Sequence, residues 1–254
     1  MPWSLQISDL LLKVCKHDGI LVMKIIYTIR GDKNMGMDKQ INKLKLLRAG
    51  ESEKFFINSK FHEKIEEQPL GLLNLPTGKI VANDPLCIYE TEPFEKAVKP
   101  GQYPVILYVQ HIEDDRRVAF AEIRFTESSP VYFELALIKG QDAENLGEDE
   151  YYGYGVDSGT GGFMDELTCG EFTALIETVD DGMLPELEKA LDNSYVYTYS
   201  TANYNLPGTD NNLTVFSSGY GDGCYASYWG YDKNHELCCL ITDFDTIDDE
   251  EWQM

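Results

Sequence analysis

Two short stretches hold the residues most able to do chemistry. In the first, Val156-Asp157-Ser158-Gly159-Thr160, an aspartate sits in a glycine-permitted turn of the kind that aspartic peptidases use to present a carboxylate sharing a proton with a second one. A peptidase needs a second such turn, and Thr242-Asp243-Phe244-Asp245-Thr246 lacks the glycine that would let it form. The helical signals that follow Asp165 also depart from the all-strand setting of such an enzyme. In the second stretch, Ser217 is followed by Ser218-Gly219-Tyr220-Gly221-Asp222-Gly223-Cys224-Tyr225, so glycines flank Asp222 and let its carboxylate project from a strand end. This reading predicts that Asp157 and Asp222 meet at one end of a sheet, with Asp165 and Asp232 nearby. Tyr152, Tyr154, Tyr220, Tyr225, Tyr228 and Trp229 would form an aromatic wall beside them. The candidate binding residues are Asp157, Ser158, Thr160, Asp165, Asp222, Tyr154, Tyr225 and Trp229. Carboxylates gathered in this way suit general acid/base work or the oxygen coordination of Mg²⁺ or Ca²⁺, although no cofactor is required by the sequence. The opposing reading makes both segments turns built from Asp and Gly, with their aromatic neighbours in the core.

Other chemistries lack their residues. The cysteines, Cys15, Cys87, Cys169, Cys224, Cys238 and Cys239, show no two-residue gap of a zinc or redox motif. Adjacent Cys238 and Cys239 are expected on opposite faces of a strand. His17, His62, His111 and His235 are scattered without the helical spacing of a zinc protease. No phosphate loop, dinucleotide fingerprint between strand and helix, or Gly-x-Ser-x-Gly elbow occurs. The acidic run 142–150 lacks the ordered ligand spacing of a calcium hand and reads as a solvated loop.

The charge distribution narrows the partners. The 254 residues carry 21 Lys+Arg against 44 Asp+Glu, a net of -23. Residues 1–64 hold 12 basic and 7 acidic side chains (net +5), which leaves 9 and 37 (net -28) for residues 65–254. Such a body repels polyanions, so nucleic acid and anionic membrane are excluded as general partners. At 43% hydrophobic and 12% aromatic residues the chain has enough apolar surface to fold. The apolar stretch 20–29 is short and interrupted by Lys24, so no export or membrane signal is expected and the location expected is cytoplasmic. Met23, Met35 and Met37 leave open where the native start lies.

The positioning elements read as one α+β domain, mostly antiparallel β-sheet with two short helices packed on one face. Residues 1–64 form a basic, partly helical N-terminal extension, loosely attached, with a short amphipathic helix over 38–47. Residues 65–254 form the acidic α+β domain. Strands are expected at 79–82, 104–112, 117–125 and 131–138, consecutive ones pairing through tight connections, and again at 195–200, 213–217, 224–231 and 237–244. Helices are expected at 171–179 and 184–191, with Pro185 in the first turn of the second. Residues 232–235 form a hairpin turn, and 248–251 an acidic solvated tail.

Several motifs in one order carry a resemblance. Leu75 to Pro85 (LPTGKIVANDP), Gly101-Gln102-Tyr103-Pro104-Val105, Arg117-Val118-Ala119-Phe120-Ala121, Glu134-Leu135-Ala136-Leu137, Tyr154 to Gly161 (YGVDSGTG) and Ser217 to Gly223 (SSGYGDG) resemble a bacterial family, domain of unknown function 4241 (DUF4241). The similarity spans roughly residues 70–244. It implies that domain and marks the two Gly-Asp segments as signature features, without assigning catalytic residues. In that family a Cys often stands at the position of Gly162 and a Trp at that of Tyr220; the first departure argues against a thiol nucleophile here.

The functional expectation is a non-enzymatic, immunity-like acidic binding protein for a basic protein partner. The alternative is a metal-dependent or acid/base hydrolase using Asp157, Asp165 and Asp222, which requires those three carboxylates to converge in a cleft. A third reading docks the basic residues 1–64 on the acidic domain of the same chain or a neighbour.

Overall fold

The computed structural model describes residues 12–17, 20–25, 37–51, 64–88, 91–147, 150–179 and 182–247. The expected tail at 248–251 and the whole of the stretch 26–36 lie outside them. Strands β1 (Leu12–His17) and β2 (Ile20–Ile25) form an antiparallel hairpin and are followed by helix α1 (Met37–Arg48).

The domain is built on two sheets. Strands β3 (Lys64–Leu75), β4 (Ile80–Asn83), β5 (Gly101–Ile112), β6 (Asp115–Arg124) and β7 (Tyr132–Leu135) precede β8 (Tyr154–Val156) and β9 (Thr160–Asp165). Helices α2 (Glu166–Ile176) and α3 (Pro185–Ser194) come next. Strands β10 (Thr201–Asn205), β11 (Asn212–Ser217), β12 (Gly223–Tyr225), β13 (Ser227–Tyr231) and β14 (Leu237–Asp243) are the last among the described residues. The six-stranded sheet runs β3-β5-β6-β14-β13-β7, the four-stranded sheet β10-β11-β9-β4, and β12 pairs with β8 as a ribbon. Every pairing is antiparallel. The α+β class holds.

Burial follows from the layering. Leu73, Val105, Leu107, Val118 and Ile123 of the larger sheet meet Ile80, Phe163 and Phe216 of the smaller in one core. On the smaller sheet's other face, Val81, Met164 and Val215 are covered by Cys169 and Phe172 of α2 and Leu187 and Leu191 of α3. Both helices therefore pack on one face, as the apolar spacing predicts. The larger sheet's outer face is covered by Leu44 and Leu47 of α1, which explains why β5 and β6 are buried on both sides. Lys43 of α1 is itself fully buried, with Nζ 2.6 Å from an Asp243 carboxylate oxygen. The loose attachment expected for the basic segment fails for this helix.

Other expectations need correction. Only β5 and β6 form the tight consecutive hairpin foreseen at 104–125; β4 pairs with β9, and β7 with β13. Residues 195–200 form no strand but a two-residue turn closed by reciprocal Val196 and Tyr199 backbone bonds of 3.0 and 3.1 Å. The run 224–231 is two strands, split at Ala226, serving the ribbon and the six-stranded sheet respectively. Cys238 and Cys239 do not face opposite ways. A register shift opposite Gly230 and Tyr231 bulges β14 there, and both thiols join the cluster under α1. Burial raises the pKa of both.

Candidate interaction surface

The β8–β12 ribbon decides where the two Gly-Asp turns lie. Its last pair is Val156↔Gly223, so Asp157 and Asp222 leave the ribbon side by side at one end, both exposed. Ser218 N–H donates to the Gly159 carbonyl at 3.0 Å, which ties the 157–159 loop to the 218–222 loop. Gly219 has φ +50, and a Cβ there would lie 2.6 Å from the Phe244 carbonyl oxygen; glycine is what allows the second loop to press so closely on the segment that follows β14.

The first loop is held from beneath by a residue that sequence reasoning missed. Asp84 is 1% exposed, and its carboxylate accepts from the backbone N–H groups of Asp157 (2.9 Å) and Ser158 (2.7 Å) and from the Ser158 hydroxyl (2.7 Å). It also accepts from Leu86 and Cys87 N–H at 2.9 and 3.1 Å. Ser158 is thus a donor to an anchoring carboxylate, and Thr160 is buried with its hydroxyl toward the Ser158 carbonyl. Both serve the turn.

Asp165 does not join Asp157 and Asp222. It ends β9, five residues from Thr160, or roughly 16 Å along an extended strand. Fully buried, it caps α2 by accepting from Leu167 N–H (3.0 Å), and it accepts from Thr77 N–H (3.0 Å), Gly78 N–H (3.1 Å) and the Thr77 hydroxyl (2.9 Å). Asp232 sits in the β13–β14 turn and accepts from Asn234 and Glu236 N–H at 2.7 and 3.0 Å. The three carboxylates of the hydrolase reading do not converge, and among the described residues no group of three His, Cys, Asp or Glu is placed to hold a metal ion.

The aromatic wall divides as well. Tyr154, Tyr225 and Trp229 are core residues; Tyr225 donates its hydroxyl to the Gly221 carbonyl at 2.8 Å, and Trp229 packs edge-on to Phe94 at 5.9 Å. Tyr228 faces the α1 side. Tyr152, Tyr154 and Tyr225 line, with Gln141 and apolar neighbours, a cavity of about 10 Å³ that has room for a single water, and neither Asp157 nor Asp222 borders it. Of the expected wall, Tyr220 is the member that stands in solvent beside Asp222, 62% exposed.

Around Tyr220 the fold assembles a surface that the motifs did not foretell. The Arg117 guanidinium lies 5.3 Å from the Tyr220 ring centre, pairs with Asp115 at 2.7 Å and reaches the Gly219 carbonyl at 3.4 Å. Next to it the Arg116 guanidinium stacks 4.6 Å over Tyr197. The Thr198 hydroxyl donates to the Asp115 carboxylate and lies 2.8 Å from the Arg116 carbonyl, joining the 195–199 turn to the β5–β6 hairpin. Tyr195 (62%), Val196 (44%) and Tyr197 (55%) are exposed. Tyr197 holds φ +56, a left-handed conformation costly for a tyrosine. Exposed Glu113 and Asp114 complete the rim. The signal available in the sequence was the Tyr195, Tyr197, Tyr199 alternation, which reads equally well as a strand.

Burial acts to raise the Asp115 carboxyl, but hydrogen bonds from Thr198 and Arg117 outweigh it and hold its pKa below the ordinary range. A depressed folded pKa stabilises the rim at every pH above the ordinary carboxylate value of about 4, and that contribution fades as pH falls through the lower folded value. In acid thermal melts between about pH 5 and pH 2.5, Asp115→Asn should therefore flatten the loss of stability relative to the unaltered chain.

The profile of the family described as Protein of unknown function (DUF4241) matches residues 73–242. The chain belongs to this family. No curated protein and no solved structure matches it. The DUF4241 region runs from within β3 to the penultimate residue of β14 and takes in residues 113–117, 157–159, 195–199 and 218–222, while α1 falls outside it. Within the DUF4241 core, a Cβ at Gly162 would lie 2.4 Å from Pro85 Cγ and 2.8 Å from the Thr214 carbonyl oxygen. Gly162→Ala is expected to cost about 1–3 kcal/mol of overpacking, read as a lowered denaturant midpoint.

Proposed function

We propose that this DUF4241 chain is a non-enzymatic, immunity-like binding protein that receives a basic protein partner at the rim formed by residues 113–117, 157–159, 195–199 and 218–222. The observation that carries this reading is the gathering of Tyr195, Val196, Tyr197 and Tyr220, all exposed, on linked turns with Asp157, Asp222, Glu113 and Asp114 around them. Tyrosine and arginine are enriched where protein interfaces concentrate their energy, and both rim arginines already brace tyrosine rings. Carboxylates around such anchors speed encounter with a cationic surface and reject anionic competitors. The net of -28 over residues 65–254 acts in the same direction.

Affinity capture tests this. The immobilised chain should retain a basic protein from cell extract at about 50 mM salt and release it as salt rises several-fold, because the screening length shortens. Retention should fall when Tyr197 and Tyr220 are both replaced. Capture that ignores both salt and the two tyrosines would refute the proposal.

A further inference from the structure

β3 is an outer strand of the six-stranded sheet, so one side of its backbone has no strand beside it among the described residues. In an antiparallel ladder the N–H and C=O of one residue point the same way, and successive residues alternate. The two halves of β3 meet this edge differently. After the bulge at Leu70 the outward groups are taken by asparagine side chains. Asn203 and Asn212 donate to the Leu72 carbonyl at 3.0 and 2.7 Å, Asn203 donates to the Leu70 carbonyl at 3.2 Å, and Asn212 accepts from Asn74 N–H at 2.8 Å. Leu72 and Asn74 therefore face outward, and β5 meets β3 through Val105 and Tyr103, opposite Gly71 and Leu73. Continuing that alternation along β5 gives Leu107, Val109 and His111, whose partners are Gln68, Glu66 and Lys64. Ile65, Glu67 and Pro69 are left turned outward. Proline, with no N–H for the ladder, stands where an edge strand tolerates it. Among the described residues no side chain does for Ile65 and Glu67 what the asparagines do further on.

We infer that this open half of β3, residues 64–69, receives an extended segment of a basic protein as an added strand. Unpaired edge groups are the template for such addition, and the side chains beside them choose the sequence. Glu66, opposite Val109, lies on the inner-core face, and Glu67, opposite Tyr108, on the α1 face. Glu66 meets Lys64 and His111 at 3.4 and 2.9 Å, and Glu67 lies 3.6 Å from Arg124, yet both carboxylates stay more than half exposed. A strand carrying Lys or Arg gains cross-strand pairs on either face. A second copy of this chain would instead bring glutamates toward glutamates and join two bodies of net -28. The edge is continuous with the rim: the Tyr199 hydroxyl donates to the Gln68 side chain at 2.8 Å, and His111, bonded to Glu66, stands opposite Arg116 in the ladder. The inference rests on the rim reading for a basic protein partner and adds how an extended segment of that protein is held. Residues 64–69 precede the matched family region, so the edge is a property of this chain.

Amide exchange read by NMR on the native full chain gives the first measurement. Ile65 and Glu67 should exchange roughly 100-fold or more faster than Glu66 and Gln68, whose N–H groups face β5. Equal protection would mean that the edge is already paired and would overturn the inference. The second measurement titrates a fluorescein-labelled peptide of four Lys-Val repeats, blocked at both ends, into the chain. Binding should slow the Ile65 and Glu67 amides by about tenfold or more. Glu67→Pro deletes an outward N–H and no bond to β5, so it should weaken the peptide by about tenfold or more. Glu67→Gln keeps that N–H and should cost less than about threefold. Far-UV circular dichroism should be the same for both variants and the parent. Should Glu67→Pro fail to fold, protection of the two amides by the peptide still decides. Affinity that falls equally in both variants, or only when Tyr197 and Tyr220 are replaced, would assign the peptide to bulk charge or to the rim and overturn the inference. Loss of the rim's salt-sensitive capture with these edge results intact would remove the rim reading alone. Concentration-dependent dimerisation that Glu67→Pro abolishes would give the edge to a second copy and overturn the partner reading.

Discussion

Asp84→Ala is expected to lower stability by about 3–5 kcal/mol, the range for removing a buried charged acceptor and stranding its donors. The substitution orphans the N–H groups of Leu86, Cys87, Asp157 and Ser158 together with the Ser158 hydroxyl. For a domain of this size the melting temperature should fall by about 10–15 °C, readable by calorimetry. Asp157→Asn and Asp222→Asn should each stay within about 0.5 kcal/mol of the parent, because both side chains are exposed. The contrast separates a carboxylate that builds the turn from those the turn displays. Equal losses for all three would place Asp157 and Asp222 in the framework and remove them from the binding surface.

Replacing both Tyr197 and Tyr220 by alanine should weaken partner binding by roughly 30-fold or more, since truncating a central aromatic anchor costs about 2 kcal/mol or more. Stability should barely move. Tyr197→Gly sharpens the point. Glycine tolerates φ +56 without strain, which offsets the loss of the Arg116 stack, so the folded state should change by less than about 1 kcal/mol while affinity drops. Surface plasmon resonance against the captured partner, paired with urea titrations, measures both quantities on the same variants. Reducing the rim charge through Asp157→Asn and Asp222→Asn should act mainly on the association rate, and more at low salt than at high.

The legible parts of the fold are those in which burial follows a local pattern. β5 and β6 are runs of Val, Ile, Leu, Tyr and Phe closed by an acidic turn, and they stand where those runs predict. The β13–β14 hairpin and its tip at Lys233-Asn234 are equally plain. β3 was hidden because it is an edge strand: its first half, Lys64 to Gln68, is largely exposed and so carries polar residues that read as a loop. The apolar spacing puts the start of α2 five residues late, because Thr168, Cys169 and Gly170 dilute the helical signal and Asp165 reads as a site residue as readily as a cap. The run from Cys224 to Tyr231 reads as one strand since both halves are buried; only the pairing partners reveal the change of sheet at Ala226.

The candidate site was half legible for a related reason. Glycine beside aspartate announces a turn, and two such turns in a ribbon did come together. Locally Asp84 announces only the turn it closes with Leu86 and Cys87; the Asp157 and Ser158 groups that it anchors are 73 and 74 residues further on. Nor does local sequence distinguish a buried tyrosine from an exposed one: Tyr225 and Tyr220 share one glycine-rich stretch, one 6% exposed and the other 62%. The rim exists because the β5–β6 hairpin, the 195–199 turn and the two Gly-Asp loops are brought together by pairings between distant strands.

The central claim is that partners are received on that rim, and a hydrogen-exchange footprint of the chain in complex with its captured basic partner tests it most directly. Amides of residues 113–117, 195–199 and 218–222 should slow by at least tenfold on binding, while the exposed outer face of α2 stays unchanged. Protection confined to other surfaces, with the three rim segments exchanging as in the free chain, would contradict it.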